Sequence, residues 1–250
     1  MNRIKAVYSL IPVLVFLLIW EITARLKMIP GNFFFPPFTV VIQEFYRLTA
    51  NGTLIDNFLK SFTRVLIGLF AGSTVGIVIG ILIGYEEKIH RITHPIFSLF
   101  YPIPALGWLP LLMLWVGIGE LLPIIIIFIC SFFPILYNTV TGIKNVNKDY
   151  IKAAQSLGAS DWKALTTVVI PLALPNIFTG LRLEAGMAWR VIIAAGMVAI
   201  PTGIGALLMR AESFLRIDII IVCLMVLSLM CLSFENFFIY IEYKLTNKWR

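Results

Sequence analysis

Charged side chains inside apolar runs are the residues of this 250-residue sequence best suited to do chemistry. Arg182, Glu184 and Arg190 interrupt one such run, and Arg182, Gly186 and Arg190 share one helix face. Ionisable groups in apolar surroundings are costly and mark functional sites or ion pairs. A guanidinium lining a cavity would bind carboxylate, sulfonate or nitrate oxygens. The alternative is structural, with either arginine paired to Glu184 or Glu235.

The sequence gives little support for a metal site or a reactive thiol. His90 and His94 are four residues apart, but two ligands without a carboxylate cluster make a poor metal site. Cys130, Cys223 and Cys231 lie in apolar runs without CxxC spacing, which favours small buried hydrophobes. We predict no catalytic residue, no metal and no cofactor bound by this chain.

The composition places these residues in a membrane. The chain is 60% hydrophobic and 13% charged, with a mean hydropathy of +0.94. Soluble domains are about 45–50% apolar and about 25% charged, so a soluble globule could not bury this much apolar surface. The net charge of +7 comes without a compact basic domain, which argues against a nucleic-acid partner.

We predict an all-α polytopic membrane protein with six transmembrane helices, each of about 20 apolar residues. The spans are 7–26, 60–85, 93–117, 120–141, 171–199 and 216–240. With a cytoplasmic N-terminus, eleven Lys and Arg fall inside and six outside, which places both termini in the cytoplasm.

Glycines recur every fourth residue along the second span. Such small-residue stripes let helix backbones approach closely, so we predict tight helix packing there. The stripe consists of Gly68, Gly72, Gly76, Gly80 and Gly84.

The third span is rich in proline, at Pro95, Pro102, Pro104 and Pro110. Proline breaks a helix, and a broken segment at membrane depth must face protein or a water-filled cavity. We therefore predict that this span faces the bundle interior, with Pro104 and Trp108 as candidate pathway residues beside Arg182 and Arg190. The alternative is a kink buried in packing.

The longest inner connection, 142–171, predicts a helical hairpin. One helix covers Asp149–Leu157, Gly158 ends it in the left-handed conformation, and Ser160 caps a second helix over Asp161–Val169. Pro171 then opens the fifth span. A rigid hairpin on the inner face would meet a cytoplasmic partner.

This hairpin resembles the EAA loop of ABC importer permeases, through Lys152-Ala153-Ala154, Gly158, Val168, Ile170 and Pro171. Lys152 stands where the family usually has glutamate. The resemblance implies that the loop contacts the transporter's ATPase. The implied contact residues are Lys152, Ala153, Ala154, Leu157, Gly158, Ala159, Ser160 and Pro171.

Further motifs resemble the nitrate, sulfonate and taurine branch of these permeases. They are Pro102-Ile103-Pro104, Gly117-Ile118-Gly119, Phe133-Pro134-Ile135, Ser156-Leu157-Gly158-Ala159-Ser160, Thr179-Gly180-Leu181-Arg182-Leu183 and Phe214-Leu215-Arg216-Ile217-Asp218. The likeness covers residues 35–250, with 1–34 forming the first helix and an outer linker. One departure is Gly196, where this branch is expected to carry glutamate.

The resemblance implies a type I importer permease in a prokaryotic cell membrane: a homodimer with two cytoplasmic ATPase subunits and an external solute-binding protein. The chain has no phosphate-binding loop, so ATP and Mg would act on the separate ATPase. The expected cargo is a small anion such as nitrate, a sulfonate or taurine. Alternatives are a thiamine-precursor pyrimidine or riboflavin, or a standalone channel or carrier.

Overall fold

The computed structural model describes residues 3–26 and 34–246, and this part of the chain is built from helices. The predicted all-α class is confirmed. A 3₁₀ turn, Ala105–Trp108, and a π-helical turn, Leu165–Val169, join neighbouring helices. The helices are α1 (Arg3–Arg25), α2 (Phe38–Ala50), α3 (Thr53–Tyr85), α4 (Glu87–Phe100), α5 (Leu109–Val116), α6 (Leu121–Lys144), α7 (Lys148–Ser156), α8 (Asp161–Ala164), α9 (Ile170–Ala199), α10 (Ile204–Ser213) and α11 (Ile217–Thr246).

The predicted count of six spans is not matched within the described residues. Four stretches are long and apolar enough to cross a membrane: α3, α6, Asp161–Val198 and α11. A fifth span results if the bent pair formed by α4 and Ala105–Val116 counts as one. The first predicted span, 7–26, forms α1 but is not among these, and part of the outer linker, 27–33, lies outside the described residues.

The third predicted span, 93–117, is not one continuous helix. It consists of α4 and the segment Ala105–Val116, which meet at a bend of 80°. Pro104 at the junction is extended, with φ −58° and ψ 137°. Neither Pro102 nor Pro104 has an N–H to donate, so the hydrogen-bonding pattern of α4 cannot continue through them, and α4 ends at Phe100.

The fifth span is predicted to open at Pro171, and α9 begins at Ile170, but no break separates it from the preceding helix. α8, the π-helical turn and α9 run on without interruption, although Pro171 lacks an amide proton. Just before it, the Ile170 N–H bonds to the Leu165 carbonyl in π-helical register. This wider turn gives the proline room, because it shifts the hydrogen-bond pattern that the proline ring would otherwise block.

The glycine stripe of α3 lies against α6 along its whole length. A Cβ atom at any of the five glycines would stand 2.7–2.9 Å from an atom of α6. Only backbones without side chains between them approach this closely, and the gain is dispersion contact over many atoms. The stripe therefore sets the spacing of the α3–α6 pair.

α9 is the central helix and packs against α3, α6, α10 and α11. Its Trp189 is fully buried and contacts the rings of Phe58, Phe62 and Phe234, with centroids 5.5–6.2 Å apart. Aromatic side chains bury the most apolar area per residue, so this cluster anchors α3 and α11 on α9.

Candidate functional site

The loop 142–171 forms a rigid hairpin. α7 ends at Ser156, and Gly158, two residues further on, has a left-handed φ of +88°. The Ala159 N–H donates to the Ala154 carbonyl at 3.0 Å, and the Gly158 N–H donates to the Gln155 carbonyl at 2.9 Å. This pair of bonds is a Schellman motif, which satisfies the last carbonyls of α7 and reverses the chain at one residue.

Side-chain bonds hold the two arms of the hairpin together. Ser160 caps α8 by accepting from the Lys163 N–H at 3.4 Å, a long bond. The Gln155 amide donates to the Asp161 carboxylate at 2.8 Å, and the Tyr85 hydroxyl of α3 donates to the Asp161 carbonyl at 3.2 Å. The hairpin is thus bonded to the C-terminal end of α3.

The hairpin exposes two large apolar side chains among polar ones. Leu157 is 90% exposed and Trp162 is 72% exposed, which is unusual for large hydrophobic side chains near water. Of the loop residues predicted to contact an ATPase, Lys152 and Ala153 are exposed, while Ala154 and Ala159 are partly buried. An exposed apolar tip on a rigid support is typical of a protein-docking surface.

The bent segment contributes to a cavity of about 380 Å³ between α6 and α9. Pro104, one of the candidate pathway residues, lines this cavity together with Leu183 and Met187 of α9. Trp108 does not line it. Its ring instead packs beside Phe100, with centroids 5.9 Å apart.

Arg182 and Arg190 lie away from this cavity. The Arg182 guanidinium is 3.9 Å from the Glu242 carboxylate of α11, so its partner is neither of the two acids considered from the sequence. Arg190 is exposed and lies beside the Cys231 thiol of α11. The carboxylate that does line the cavity is Glu184. From the sequence it stands out only as an acid in an apolar run.

Gly196 lies where α9 crosses α10. A Cβ atom there would stand 3.0 Å from the Cα of Gly205. A glutamate at this position would push the two helices apart, so the crossing as it stands accommodates glycine and not the glutamate expected there.

His90 and His94 lie on α4 with ring centroids 4.9 Å apart. They line a second cavity of about 260 Å³ together with Lys144. Within the described ranges, no group of three or more His, Cys, Asp or Glu side chains could hold a metal ion.

A buried arginine at the end of the bundle opposite the hairpin was not assigned a partner from the sequence. Arg64 of α3 is 2% exposed, and its guanidinium makes two bonds of 2.6 Å to the Glu120 carboxylate. It also donates to the Thr202 carbonyl at 2.9 Å. Asn57 accepts the Gly203 N–H at 2.9 Å. These bonds fasten the α9–α10 loop to α3 and to the start of α6.

We expect Glu120→Ala to lower the free energy of unfolding by about 2–3 kcal/mol, the scale of hydrogen bonds to a charged group. The variant leaves the buried Arg64 guanidinium with Thr202 alone. Unfolding in detergent, followed by intrinsic fluorescence, measures the change. Glu212→Ala, an exposed acid on α10, is the control and should stay within about 0.5 kcal/mol. Equal effects of the two variants would contradict the assignment.

The same pair predicts a pH dependence. The hydrogen bonds from Arg64 hold the pKa of Glu120 below its ordinary value. A lowered folded-state pKa stabilises the fold above the unfolded-state pKa, and this stabilisation is lost as the pH falls through the folded-state pKa. Arg64→Met should make unfolding less sensitive to acid.

Together, the long apolar helices, the broken span and the docking hairpin define the membrane-embedded subunit of a transport system. The chain belongs to the family of binding-protein-dependent transport system inner membrane components, whose model matches residues 72–247. Its relatives are membrane subunits of ABC transporters and not catalytic subunits, as predicted.

Three curated relatives show the breadth of the family. A putative ABC transporter permease of Methanocaldococcus jannaschii is 42% identical over 82% of this chain and 77% of its own. The taurine transport system permease of Escherichia coli is 34% identical over 88% and 82%. The nitrate import permease of Synechocystis is 31% identical over 95% and 88%. The predicted resemblance to this branch is confirmed.

Solved structures support the fold. An amino acid ABC transporter matches with a TM-score of 0.65 and 18% identity, covering 80% of this chain and 97% of that one. An inward-facing methionine ABC transporter matches with a TM-score of 0.59 and 16% identity, over 72% and 92%. The architecture is that of type I ABC importer permeases.

Proposed function

We propose that this chain forms the substrate pathway of an ATP-driven importer for a small oxyanion, such as nitrate, a sulfonate or taurine. The observation that carries the proposal is the exposed hairpin at 142–171, built as one piece with the central helix α9. The named cargoes of the taurine and nitrate relatives support the substrate class.

In this proposal, the hairpin passes the conformational change of the ATPase on to the membrane helices. Leu157 and Trp162 present apolar surface, and the Schellman turn at Gly158 holds it in one shape. A docking element must be stiff to pass on a movement, because a flexible one would absorb it. Together with the distribution of Lys and Arg, this role supports a cytoplasmic location for the hairpin and both termini, which requires α1 to cross the membrane as well.

The bent segment faces a second copy of the chain. Leu99, Leu114 and Trp115 are 68–84% exposed on α4 and α5. The 80° bend interrupts the helical bonding, and lipid cannot satisfy the backbone groups that it frees. A homodimer that encloses this segment protects those groups, and it places the cavity at Pro104 near the central axis.

The test is reconstitution of the permease with its ATPase and binding protein in proteoliposomes. We expect uptake of nitrate, ethanesulfonate or taurine that requires both ATP and the binding protein. Uptake without either partner would indicate a channel or carrier instead. Uptake restricted to riboflavin or a pyrimidine would overturn the oxyanion class.

Arg190 lies outside the cavity at Pro104, and we propose that its positive charge still favours the passage of an anion. In Arg190→Gln, hydrogen bonding remains but the positive charge is gone, so the barrier to an anion rises where screening is weak. We expect uptake to fall by about tenfold or more, with the complex still assembled. Arg190→Lys, which keeps the charge, should retain most of the uptake.

The structural alternative predicts a different order of effects. If Arg190 serves only to hold α9 against α11, Arg190→Gln should reduce the yield of assembled complex first. Uptake at the wild-type rate by a fully assembled Arg190→Gln complex would exclude the pathway role.

A further inference from the structure

Glu184 is the acidic group in the wall of the cavity between α6, α9 and the bent segment. The side chain is 7% exposed. The other walls are formed mainly by apolar side chains such as Leu183, Met187 and Phe133. The volume of about 380 Å³ falls within the range of about 300–1,000 Å³ that small-molecule sites occupy.

Within residues 3–26 and 34–246, the hydrogen bond that the Glu184 side chain accepts comes from the Cys130 thiol, at 3.5 Å. A thiol is a weak donor, so the carboxylate keeps most of its capacity to accept. Neither arginine of α9 compensates it. Arg182 pairs with Glu242, and Arg190 lies beside Cys231. Among the described side chains that line the cavity, none is a lysine or an arginine.

A carboxylate buried at membrane depth without a cation is costly. The cost falls when a ligand brings the missing charge and strong hydrogen-bond donors. An ammonium group supplies both, with three N–H donors in a small volume. The apolar walls suit a short hydrocarbon stem next to it.

Two other lining side chains can donate hydrogen bonds. Tyr101 has its hydroxyl, and Asn138 has a second amide N–H besides the one that bonds to the Pro134 carbonyl. A cavity with an acceptor carboxylate and separate neutral donors is complementary to a molecule with a cation at one end and an oxyanion at the other.

We propose that Glu184 makes the permease selective for a small zwitterion, an aminosulfonate whose ammonium group binds this carboxylate in transit. This inference rests on the proposed function and narrows its oxyanion class. Nitrate and simple alkanesulfonates lack the cation and leave Glu184 uncompensated.

The test compares taurine with ethanesulfonate, which has the sulfonate but no amine, and with nitrate. ATP-driven uptake of each labelled probe is measured in proteoliposomes containing the complete complex. Because the binding protein is the same throughout, a change in the ratio of rates belongs to the permease. The variant is Glu184→Gln, which keeps the shape and removes the charge. Glu235→Gln, an exposed acid on α11 outside the cavity, is the matched control.

We expect Glu184→Gln to lower the ratio of taurine to ethanesulfonate uptake by about tenfold, the scale of one lost charge-assisted bond. Glu235→Gln should leave the ratio unchanged. If Glu184→Gln assembles poorly, Glu184→Asp is the alternative variant. It keeps the negative charge but holds it one methylene further from the ligand's ammonium group. It should lower the uptake of taurine and leave the uptake of ethanesulfonate unchanged.

An unchanged ratio, or an equal loss of both probes, would overturn the inference and assign Glu184 a packing role. Wild-type uptake of ethanesulfonate or nitrate without taurine would also overturn it, while leaving the proposed function in place. Uptake of none of the three would overturn the proposed function and this inference with it.

Discussion

Gly158→Val is expected to abolish coupling, with ATP-driven uptake lowered by about tenfold or more, while the permease still inserts in the membrane. Gly158 has a φ of +88°, and a left-handed backbone costs a β-branched residue about 1–3 kcal/mol. A Cβ at this position would meet nothing within 4 Å, so the effect comes from conformation and not from a clash. Without the turn, the Ala159–Ala154 bond is lost and Leu157 leaves its place.

Gly158→Asn is the matched control, because asparagine tolerates the left-handed region far better than valine. It should retain most of the uptake and of the ATPase binding. Copurification of the ATPase reports on docking, and uptake reports on transport. Measuring both therefore separates a loss of ATPase binding from a loss of coupling after binding. Normal docking and uptake in Gly158→Val would refute the role of the turn.

Gly76→Leu should separate α3 from α6 and lower the free energy of unfolding by at least about 3 kcal/mol, the upper end of overpacking costs. A Cβ at Gly76 already stands 2.9 Å from the Phe132 carbonyl oxygen and 3.3 Å from the Leu136 nitrogen. Both are backbone atoms of α6 and cannot rotate away. The measurement is the yield and unfolding midpoint of the purified permease.

Gly186→Leu makes the same replacement in another membrane helix. A Cβ at Gly186 has nothing within 4 Å, so this variant should change the midpoint much less. A similar loss in both variants would mean that bulk in any span is harmful and that the stripe has no special role.

Local features of the site follow from the sequence because they depend on neighbours in the chain. A glycine between two helical segments and a serine before Asp161 are sufficient to predict the hairpin, since left-handed geometry and capping are decided within a few residues. The spacing of four in the glycine stripe likewise predicts a packing face.

Long-range partners do not follow in the same way. A stripe of glycines does not encode α6 as its neighbour, and nothing near Arg64 indicates Glu120, 56 residues away. Arg182 pairs with Glu242, although Glu184 is nearer in sequence, because residues two apart on a helix point in different directions. Prolines predict that a span breaks, but the angle of 80° depends on how the two pieces pack.

The helix from Asp161 to Val198 is continuous, so a rotation at one of its ends would be passed on to the other. Its 38 residues correspond to an arm of about 57 Å, with the hairpin at one end and the loop held by Arg64 at the other. If the arm stays stiff, a tilt of about 10° at the hairpin sweeps the far end through about 10 Å. Its regular bonding is interrupted at the π-helical turn, at Pro171 directly after it and at Pro175, so we expect any bending of the helix at these points.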